Sequence, residues 1–296
     1  MFAVLLVAAL AIAPQDSGTL LVRTLDVTDA RIGGDAILIT DSADGRARHL
    51  LIDAGEHGAT VVRWLDRFHV DTLAAVILSH PHADHYGGME DVFAHLPVRT
   101  FVYGGTPRTT VTYRRLLADI AARRIPVVTV DSGVRRLTLA VGGDSAVLTV
   151  FAPPPSCRAL AGRAEGDAVN DCSIGVRLTH GGFSMLFPGD AEIPELAWWL
   201  EAPPVPLAAD VLKAGHHGSD NATTPAWLDA VHPGAVMISA NGRQHPFAGV
   251  LALLAARGIA TYCTADNGTI TVRAPRGGAW TVTPERSGRC HARTDT

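Results

Sequence analysis

The sequence predicts a single α/β domain in which two β-sheets pack face to face and the helices lie outside them. The order of elements is the first observation: predicted strands and helices alternate and then give way to strands. The second is that loops rich in histidine or aspartate follow apolar strands, at 79–88, 188–192 and 215–219. Because the spaced motifs of the chain, from about residue 20 to about residue 283, reach across almost its whole length of 296 residues, one large domain explains them better than two small ones.

Apolar runs bounded by turn residues predict the strands, and helical periodicity predicts the helices. The opening strands form a β-meander that leads into the first helix, and the final three strands are expected to close the second sheet. Residues 153–171 form a loop rich in proline, glycine and charge. The predicted strands cover 19–27, 35–40, 49–53, 73–78, 98–103, 125–130, 135–140, 146–152, 174–179, 183–187, 208–214, 235–239, 261–263, 268–272 and 279–283. The predicted helices cover 57–68, 90–95, 111–123, 192–200, 223–231 (capped by Thr223 or Thr224) and 247–256.

The loop after strand 73–78 carries four side chains that can bind metal within six residues: His80, His82, Asp84 and His85. It lies at the C-terminal end of a strand, where open α/β sheets bind ligands. A proline keeps the loop extended between the first two histidines, and alternate residues of an extended chain point the same way. His80 and His82 are therefore expected to share one ion, while Asp84 and His85 face a second. Imidazole together with carboxylate suits Zn, Fe or Mn.

Three later loops supply further candidates. Asp190 ends an apolar strand, where its carboxylate can contact metal, cap the following helix, or do both. His216 and His217 follow another apolar strand, and two adjacent histidines cannot easily bind the same ion. His245 precedes a proline and a predicted helix, so it either lines the site or caps that helix.

These motifs resemble the metallo-β-lactamase superfamily, whose signature is His-x-His-x-Asp-His. More narrowly, they resemble the hydrolase domain of the ComEC competence proteins, because several short segments occur in that family's order. The resemblance implies a metallo-β-lactamase-like αββα sandwich with two mixed sheets. The matching segments are 25–27, 34–36, 51–55, the metal loop, 188–192, 212–219 and 245–246.

The resemblance also implies roles for individual residues. Asp190 would bridge two ions, and Asp53 would orient the ligands without binding metal itself. His217 is preferred over His216 as a ligand, because the ligand in related enzymes usually stands two residues before a serine. His216 would then face the substrate or the surroundings of the site, and His245 would line the site.

The third ligand of the first ion departs from the superfamily pattern. A histidine usually stands there, whereas this chain has Asn170 or Asp171 at the expected place, as in the ComEC-like group. An oxygen donor in place of imidazole weakens the preference for Zn and favours Mn. Which of the two residues is the ligand stays open at this point.

The expected activity is that of a metal-dependent hydrolase with two divalent ions, Zn or Mn, and a metal-bound hydroxide as nucleophile. Asp84 would be essential to catalysis, and His216 or His245 would protonate the leaving group or hold charged oxygens. The first choice of substrate is a phosphodiester, either DNA or another exported phosphate ester. Alternatives are a lactamase, lactonase or thioesterase on the same fold, or a non-enzymatic metal-binding protein.

Composition fits a globular protein with a sizeable core, since 47% of residues are apolar and 18% are charged. The net charge of −4 and the absence of a long basic run provide no extended surface for nucleic acid. Five arginines that fall close together predict either a local basic patch or a solvated helix face. They are Arg108, Arg114, Arg115, Arg123 and Arg124. The sequence lacks the long apolar runs that a transmembrane channel needs. It does not predict an oligomeric state.

Three segments are expected along the chain: a signal peptide at 1–18, the hydrolase domain at 19–284 and a polar tail at 285–296. The apolar start of the chain predicts export to the periplasm or the medium, with an uncleaved membrane anchor or a misassigned start as alternatives. Four cysteines permit two disulfides in an exported protein. Cys157 with Cys172 would close the proline-rich loop, and Cys263 with Cys290 would hold the tail.

Overall fold

The structure is a computed structural model that describes residues 18–29, 34–139, 145–160 and 166–293. The predicted signal peptide, except for Gly18, lies outside these residues, as does the last residue of the predicted strand 135–140. Within the described ranges, no helix has both the length and the apolar character needed to cross a membrane.

Fifteen strands occur in the described part of the chain and are numbered in chain order. They are Thr19–Thr24 (β1), Ile37–Ala43 (β2), Arg46–Ile52 (β3), Leu73–Leu78 (β4), Phe101–Tyr103 (β5), Val127–Thr129 (β6), Val134–Leu139 (β7), Ala146–Phe151 (β8), Gly175–His180 (β9), Phe183–Phe187 (β10), Val211–Lys213 (β11), Ala235–Ile238 (β12), Ala260–Cys263 (β13), Ile270–Pro275 (β14) and Thr281–Pro284 (β15).

The α-helices of the same ranges lie between and after these strands. They are Gly58–Arg67 (α1), Ala83–Tyr86 (α2), Met89–His95 (α3), Val111–Ala122 (α4), Ile193–Glu201 (α5), Pro225–Val231 (α6), Ala248–Ala256 (α7) and Thr264–Asn267 (α8). Thr224 caps α6 by accepting a hydrogen bond from the backbone N–H of Trp227, which settles the predicted choice of cap. The predicted loop 153–171 contains two short 3-10 helices, Pro155–Leu160 and Gly166–Cys172.

Both sheets are mixed, as expected. The first has the order β15-β14-β1-β2-β3-β4-β5-β6, and the second has the order β13-β12-β11-β10-β9-β8-β7. Strands β3 to β6 are parallel in the first sheet, and strands β10 to β13 are parallel in the second. Parallel strands place their carboxyl ends at one edge of a sheet, and loops that follow these strands carry most of the predicted site residues.

One predicted pairing is wrong. The last two strands do not close the second sheet: β14 pairs with β1 and β15 pairs with β14, so both belong to the first sheet. The register places Val22 opposite Val272, and both side chains are buried in the central core. Alternating hydrophobicity identifies a half-buried strand but does not identify its neighbour, so the sequence could not choose between the sheets.

Three separate apolar layers confirm the αββα arrangement. The central layer lies between the two sheets and includes Ile39, Ile77 and Met185. A second layer lies between the outer face of the first sheet and helices α1, α3 and α4, and a third lies between the second sheet and helices α5, α6 and α7. Each sheet is therefore covered on both faces, which explains why the parallel strands are continuous apolar runs instead of alternating ones.

Two disulfides join the predicted cysteine pairs. The Cα atoms are 5.6 Å apart in the pair Cys157–Cys172 and 5.4 Å apart in the pair Cys263–Cys290. The second bond attaches the described part of the C-terminal tail to the end of β13. An ion pair between Arg286 and Asp26, with Nη1 and Oδ2 3.1 Å apart, adds a second attachment.

Candidate metal centre

Side chains from loops of both sheets converge where the parallel strands end. Asp53 follows β3, the four predicted ligands follow β4, Asp190 follows β10, and His216 with His217 follows β11. Glycines allow the metal loop to approach the neighbouring backbone. A Cβ atom at Gly88 would lie 2.2 Å from the carbonyl oxygen of Ala54, and one at Gly34 would lie 2.0 Å from that of Asp84. Only glycine fits such close approaches without moving the loop.

Asp53 holds the start of the metal loop. Its Oδ1 accepts a hydrogen bond from the backbone N–H of Ser79 at 2.8 Å, and its Oδ2 accepts one from the Ser79 hydroxyl at 2.7 Å. Oδ2 also lies 2.8 Å from Nδ1 of His85, and because a carboxylate can only accept here, Nδ1 carries the proton. This leaves Nε2 of His85 free to bind metal, which is the geometry that the predicted orienting role requires.

Four buried side chains form the centre of the cluster: Asp84, His85, Asp190 and His217. Each offers one ligand atom, and these atoms all lie within 4.8 Å of one another. Oδ2 of Asp190 lies 3.1 Å from Nε2 of His85 and 3.3 Å from Nε2 of His217. Oδ2 of Asp84 lies 3.2 Å from the same His217 nitrogen. This set contains two imidazoles and two carboxylates, a combination that suits Zn or Mn.

His80 and His82 lie beside this central cluster. Nε2 of His80 is 3.0 Å from Nδ1 of His82 and 3.9 Å from Oδ2 of Asp190. The ring centroid of His80 lies 4.8 Å from that of His82 and 4.1 Å from that of His85. The Oδ2 atom of Asp190 is therefore within 4 Å of a ring nitrogen of His80, of His85 and of His217.

The structure distinguishes the two adjacent histidines. Nδ1 of His217 donates a hydrogen bond to the carbonyl oxygen of Ser239 at 2.9 Å, so Nε2 is the ring nitrogen that faces the cluster. His216 is more exposed, and its Nδ1 lies 3.1 Å from Oε1 of Glu192. Both have positive φ, 43° at His216 and 54° at His217, a rare conformation for non-glycine residues that occurs more often at functional sites. His217 is the better ligand, and His216 lies beside the site.

Asn170 and Asp171 have different surroundings. Oδ1 of Asp171 accepts hydrogen bonds from the backbone N–H groups of Glu192 at 3.1 Å and Glu195 at 3.4 Å, at the N-terminus of α5. Asp171 therefore stabilises a helix terminus in place of the metal role considered from the sequence. Asn170 donates to Glu192 at 2.8 Å, but its Oδ1 is buried without a hydrogen-bond partner. Of the two, Asn170 has the oxygen available to an ion.

His245 lies above the cluster, with its ring centroid 5.2 Å from that of His216 and 5.9 Å from that of His217. Burial, assisted by the charges of His217 and His216, lowers the pKa of His245 to about 3. The ring is therefore neutral. His245 lines the site as predicted, but it lacks the proton that a general acid needs in the metal-free protein.

Buried carboxylates control the protonation of the cluster. Burial by itself would lower the pKa of His85 and of His217, but Asp190 and the other nearby carboxylates outweigh it and raise both pKa values well above the usual range. Burial would raise the pKa of Asp84 and of Asp190, but the imidazolium charges lower both. The metal-free cluster therefore holds protons where divalent ions would bind, and metal loading should displace them.

A buried ion pair beneath the cluster was not assigned from the sequence. Nζ of Lys213 contacts the carboxylate of Asp35, and both side chains are only 1% exposed. The same Nζ lies 3.6 Å from Oδ1 of Asp190, and Oδ1 of Asp35 lies 3.5 Å from Nδ1 of His217. The available signal was a lysine at the end of a buried strand, because a lysine in such a place needs a carboxylate partner.

The cluster fits divalent ions on the evidence of its own unsatisfied atoms. Asn170 Oδ1, Asp190 Oδ1 and His217 Nε2 are buried and lack hydrogen-bond partners. Buried polar atoms are normally satisfied, so each such exception needs an explanation, and a missing ion is a common one. The cysteines add nothing to this site, since both described pairs are disulfides.

The metallo-β-lactamase superfamily model matches residues 31–152, which include Asp53 and the complete metal loop. This part of the chain therefore resembles the metallo-β-lactamase superfamily, which includes metal-dependent hydrolases. Two residues of the candidate metal site, Asp84 and His85, lie in the matched part, whereas Asp190 and His217 follow it. The chain is also 30% identical over 208 residues to ComE operon protein 3 of Bacillus subtilis (strain 168). The aligned part covers 69% of this chain and 25% of that protein, so the chain spans about a quarter of its relative.

Solved structures with the metallo-β-lactamase fold resemble the chain at low identity. A mutant of CmlA beta-hydroxylase has a TM-score of 0.54 and 14% identity, over 86% of this chain and 54% of that one. Tm1679, described as a metal-dependent hydrolase of the β-lactamase superfamily, has a TM-score of 0.51 and 11% identity, over 82% of this chain and 95% of that one. At these identities the likeness establishes the fold alone, and a hydroxylase among them shows that the fold does not determine the reaction.

Proposed function

We propose that the domain is a dinuclear metallohydrolase that cleaves phosphodiesters. The observation that carries this proposal is the position of Asp190, whose Oδ2 lies 3.9 Å from Nε2 of His80, 3.1 Å from Nε2 of His85 and 3.3 Å from Nε2 of His217. One ion would be held by the histidine pair with Asn170, the other by Asp84, His85 and His217, and Asp190 would contact both. The proposed ligands are His80, His82, Asn170, Asp84, His85, Asp190 and His217.

Charge supports two ions instead of one. Four buried carboxylates lie in and beneath the site, from Asp35, Asp53, Asp84 and Asp190, and Lys213 is their permanent positive partner. Two divalent ions with Lys213 would offset these four negative charges, whereas a single ion would leave the buried site with excess negative charge. The ions would also attract an anionic substrate such as a phosphodiester.

Bound divalent ions would supply acidification of a water molecule and polarisation of the phosphoryl oxygens. The chain itself orients two of the ligands, His85 through Asp53 and His217 through the carbonyl group of Ser239. His216 is the candidate proton donor. Burial would lower the pKa of its imidazole, but the hydrogen bond to Glu192 and the charge of Asp190 outweigh burial and raise that pKa, which favours the protonated ring.

The donor set supports Mn as the productive metal. Asn170 offers an amide oxygen where the superfamily usually has an imidazole, and hard oxygen donors favour Mn over Zn. Phosphodiester cleavage by two clamped ions tolerates such a site. Hydrolysis of lactams, lactones or thioesters stays the rival activity on this fold.

The decisive experiment compares metals and substrates side by side. The protein is stripped with chelator, reconstituted with Mn or Zn, and assayed on bis-p-nitrophenyl phosphate, plasmid DNA and nitrocefin. We expect Mn-stimulated cleavage of the phosphodiesters and little or no turnover of nitrocefin. Nitrocefin hydrolysis with Zn, without phosphodiester cleavage with either metal, would replace this proposal by the lactamase-type alternative.

We further propose that the protein is exported. The support is a pair of disulfides, because such bonds persist in the periplasm and in the medium but are rare in the reducing cytosol.

A further inference from the structure

Arg108 lies in a segment held against the metal centre at both ends. The segment connects β5 to α4. Near its start, the hydroxyl of Thr106 donates to the carbonyl oxygen of Cys172 at 3.5 Å, beside Asn170. At its end, Oγ1 of Thr110 lies 3.3 Å from the hydroxyl of Tyr86, which belongs to the helix α2 of the metal loop. Arg108 is thus placed between the two loops that would hold the first ion.

The guanidinium of Arg108 is incompletely satisfied. Its Nη1 is buried and has no hydrogen-bond partner, although the side chain as a whole is half-buried. A buried donor without an acceptor is destabilising, so its presence beside a site calls for a ligand that supplies the acceptor.

Other arginines of the predicted basic patch differ from Arg108. Arg115 forms an exposed ion pair with Glu90, with Nη2 and Oε2 2.6 Å apart. Arg123 pairs with Asp119 on the same helix, with Nε and Oδ2 2.7 Å apart. These two charges are already compensated on the surface, and Arg114 and Arg124 are exposed. Arg108 is instead half-buried, in the segment that contacts α2 of the metal loop through Thr110.

We propose that Arg108 binds a phosphoryl oxygen of the substrate next to the ion held by His80 and His82. The planar guanidinium presents paired donors that match phosphate geometry, and the donor without a partner would gain its acceptor when substrate binds. Arg108 is then a specificity-determining residue that favours phosphate esters over neutral esters. This inference rests on the proposed phosphodiesterase function for its substrate class, but the site itself can be tested with inorganic phosphate.

The test uses Arg108→Met, which removes charge and donors, and Arg108→Lys, which keeps the charge but loses the fork. Arg115→Met is the matched control, because its ion pair lies on the exposed surface. Binding of inorganic phosphate to the Mn-loaded protein is measured by calorimetry, alongside KM and kcat for bis-p-nitrophenyl phosphate. We expect Arg108→Met to weaken phosphate binding and raise KM by about 10- to 100-fold, with Arg108→Lys intermediate and Arg115→Met unchanged. Metal content and melting temperature should match the wild type in all three.

The outcomes separate this inference from the proposed function. Phosphate binding that depends on Arg108 in a protein that cleaves no phosphodiester would support the anion site and refute the activity. Phosphodiester cleavage with an unchanged KM in Arg108→Met would refute the anion site and leave the activity standing. Loss of Mn in Arg108→Met would also overturn the inference, because the side chain would then support the metal loop instead of the substrate.

Discussion

Lys213 provides the sharpest test of how the site is built. Burial would lower the pKa of its ammonium group, but Asp35 and Asp190 outweigh burial and raise it, so the group is charged at neutral pH. The charge of Lys213 in turn is the main influence that opposes burial at Asp35 and lowers the pKa of that carboxyl. Lys213→Met removes the positive member of a pair that is 1% exposed on both sides, and leaves a buried carboxylate without compensation.

The expected cost follows from this burial. Removing one partner of a buried ion pair typically destabilises a protein by about 3–5 kcal/mol. At about 2 °C per kcal/mol for a chain of this size, the metal-free protein should melt roughly 6–10 °C lower. The double variant Lys213→Met with Asp35→Asn removes both charges and should recover part of the loss. The assay is calorimetry of chelator-treated protein at pH 7.

Two comparisons make the result interpretable. Arg115→Met breaks an ion pair on the exposed surface and should leave the melting temperature unchanged within error. Divalent ions should reduce the difference in melting temperature between the Lys213→Met variant and the wild type, because the ions supply positive charge to the same carboxylates. A metal-free Lys213→Met protein that melts within about 1 °C of wild type would refute the role of this pair, since a shift that small corresponds to well under 1 kcal/mol.

Four other predictions address the centre itself. The pKa values of His85 and His217 are raised in the folded protein, so their contribution to the stability of the metal-free protein is complete below pH 6.5 and is lost as pH rises through the raised values. The melting temperature of the metal-free protein should therefore fall over that pH range, whereas the melting temperature of the metal-loaded protein should not. Asp84→Ala should abolish turnover and reduce the metal content from two ions towards one by elemental analysis, while secondary structure by circular dichroism is retained. Asn170→His should shift the metal preference from Mn towards Zn, whereas Asp171→His should lower stability through loss of the contacts at α5 without that shift. Both disulfides should be oxidised in protein recovered from the periplasm or medium, whereas free thiols at all four cysteines under native conditions would contradict export.

Local patterns predicted most of the elements because each depends on nearby residues. Strand β4 has the predicted bounds, since an apolar run between turn residues leaves few other structures open. The sequence also limited the N-cap of α6 to Thr223 or Thr224, because a cap is recognised from the residues next to it, and the structure has Thr224. The neighbours of β14 and β15 could not be predicted, because sheet membership depends on pairing with β1 at the opposite end of the chain.

The candidate site likewise combines residues that local sequence signals predict with contacts that only the folded chain creates. The spacing of the metal loop is a local signal, and the structure brings His80, His82, Asp84 and His85 together with Asp190 as that signal requires. Lys213 ends β11 of the second sheet, whereas Asp35 lies just before β2 of the first sheet, so neither sequence neighbourhood contains the other member. Likewise, the choice between Asn170 and Asp171 depends on where α5 begins, which only the folded chain determines.

The contacts of the metal-free cluster suggest why so charged a site can form before ions arrive. His85 and His217, when protonated, lie within 3.3 Å of Oδ2 of Asp190, so imidazolium takes the place that a divalent ion would take. The surrounding core is large and continuous on both faces of each sheet, unlike small metal domains that need their ion to fold. Metal should therefore load into a folded protein by displacing protons. Its apparent affinity should increase with pH until both imidazoles are neutral, and that increase measures how strongly the four buried carboxylates hold the protons in place.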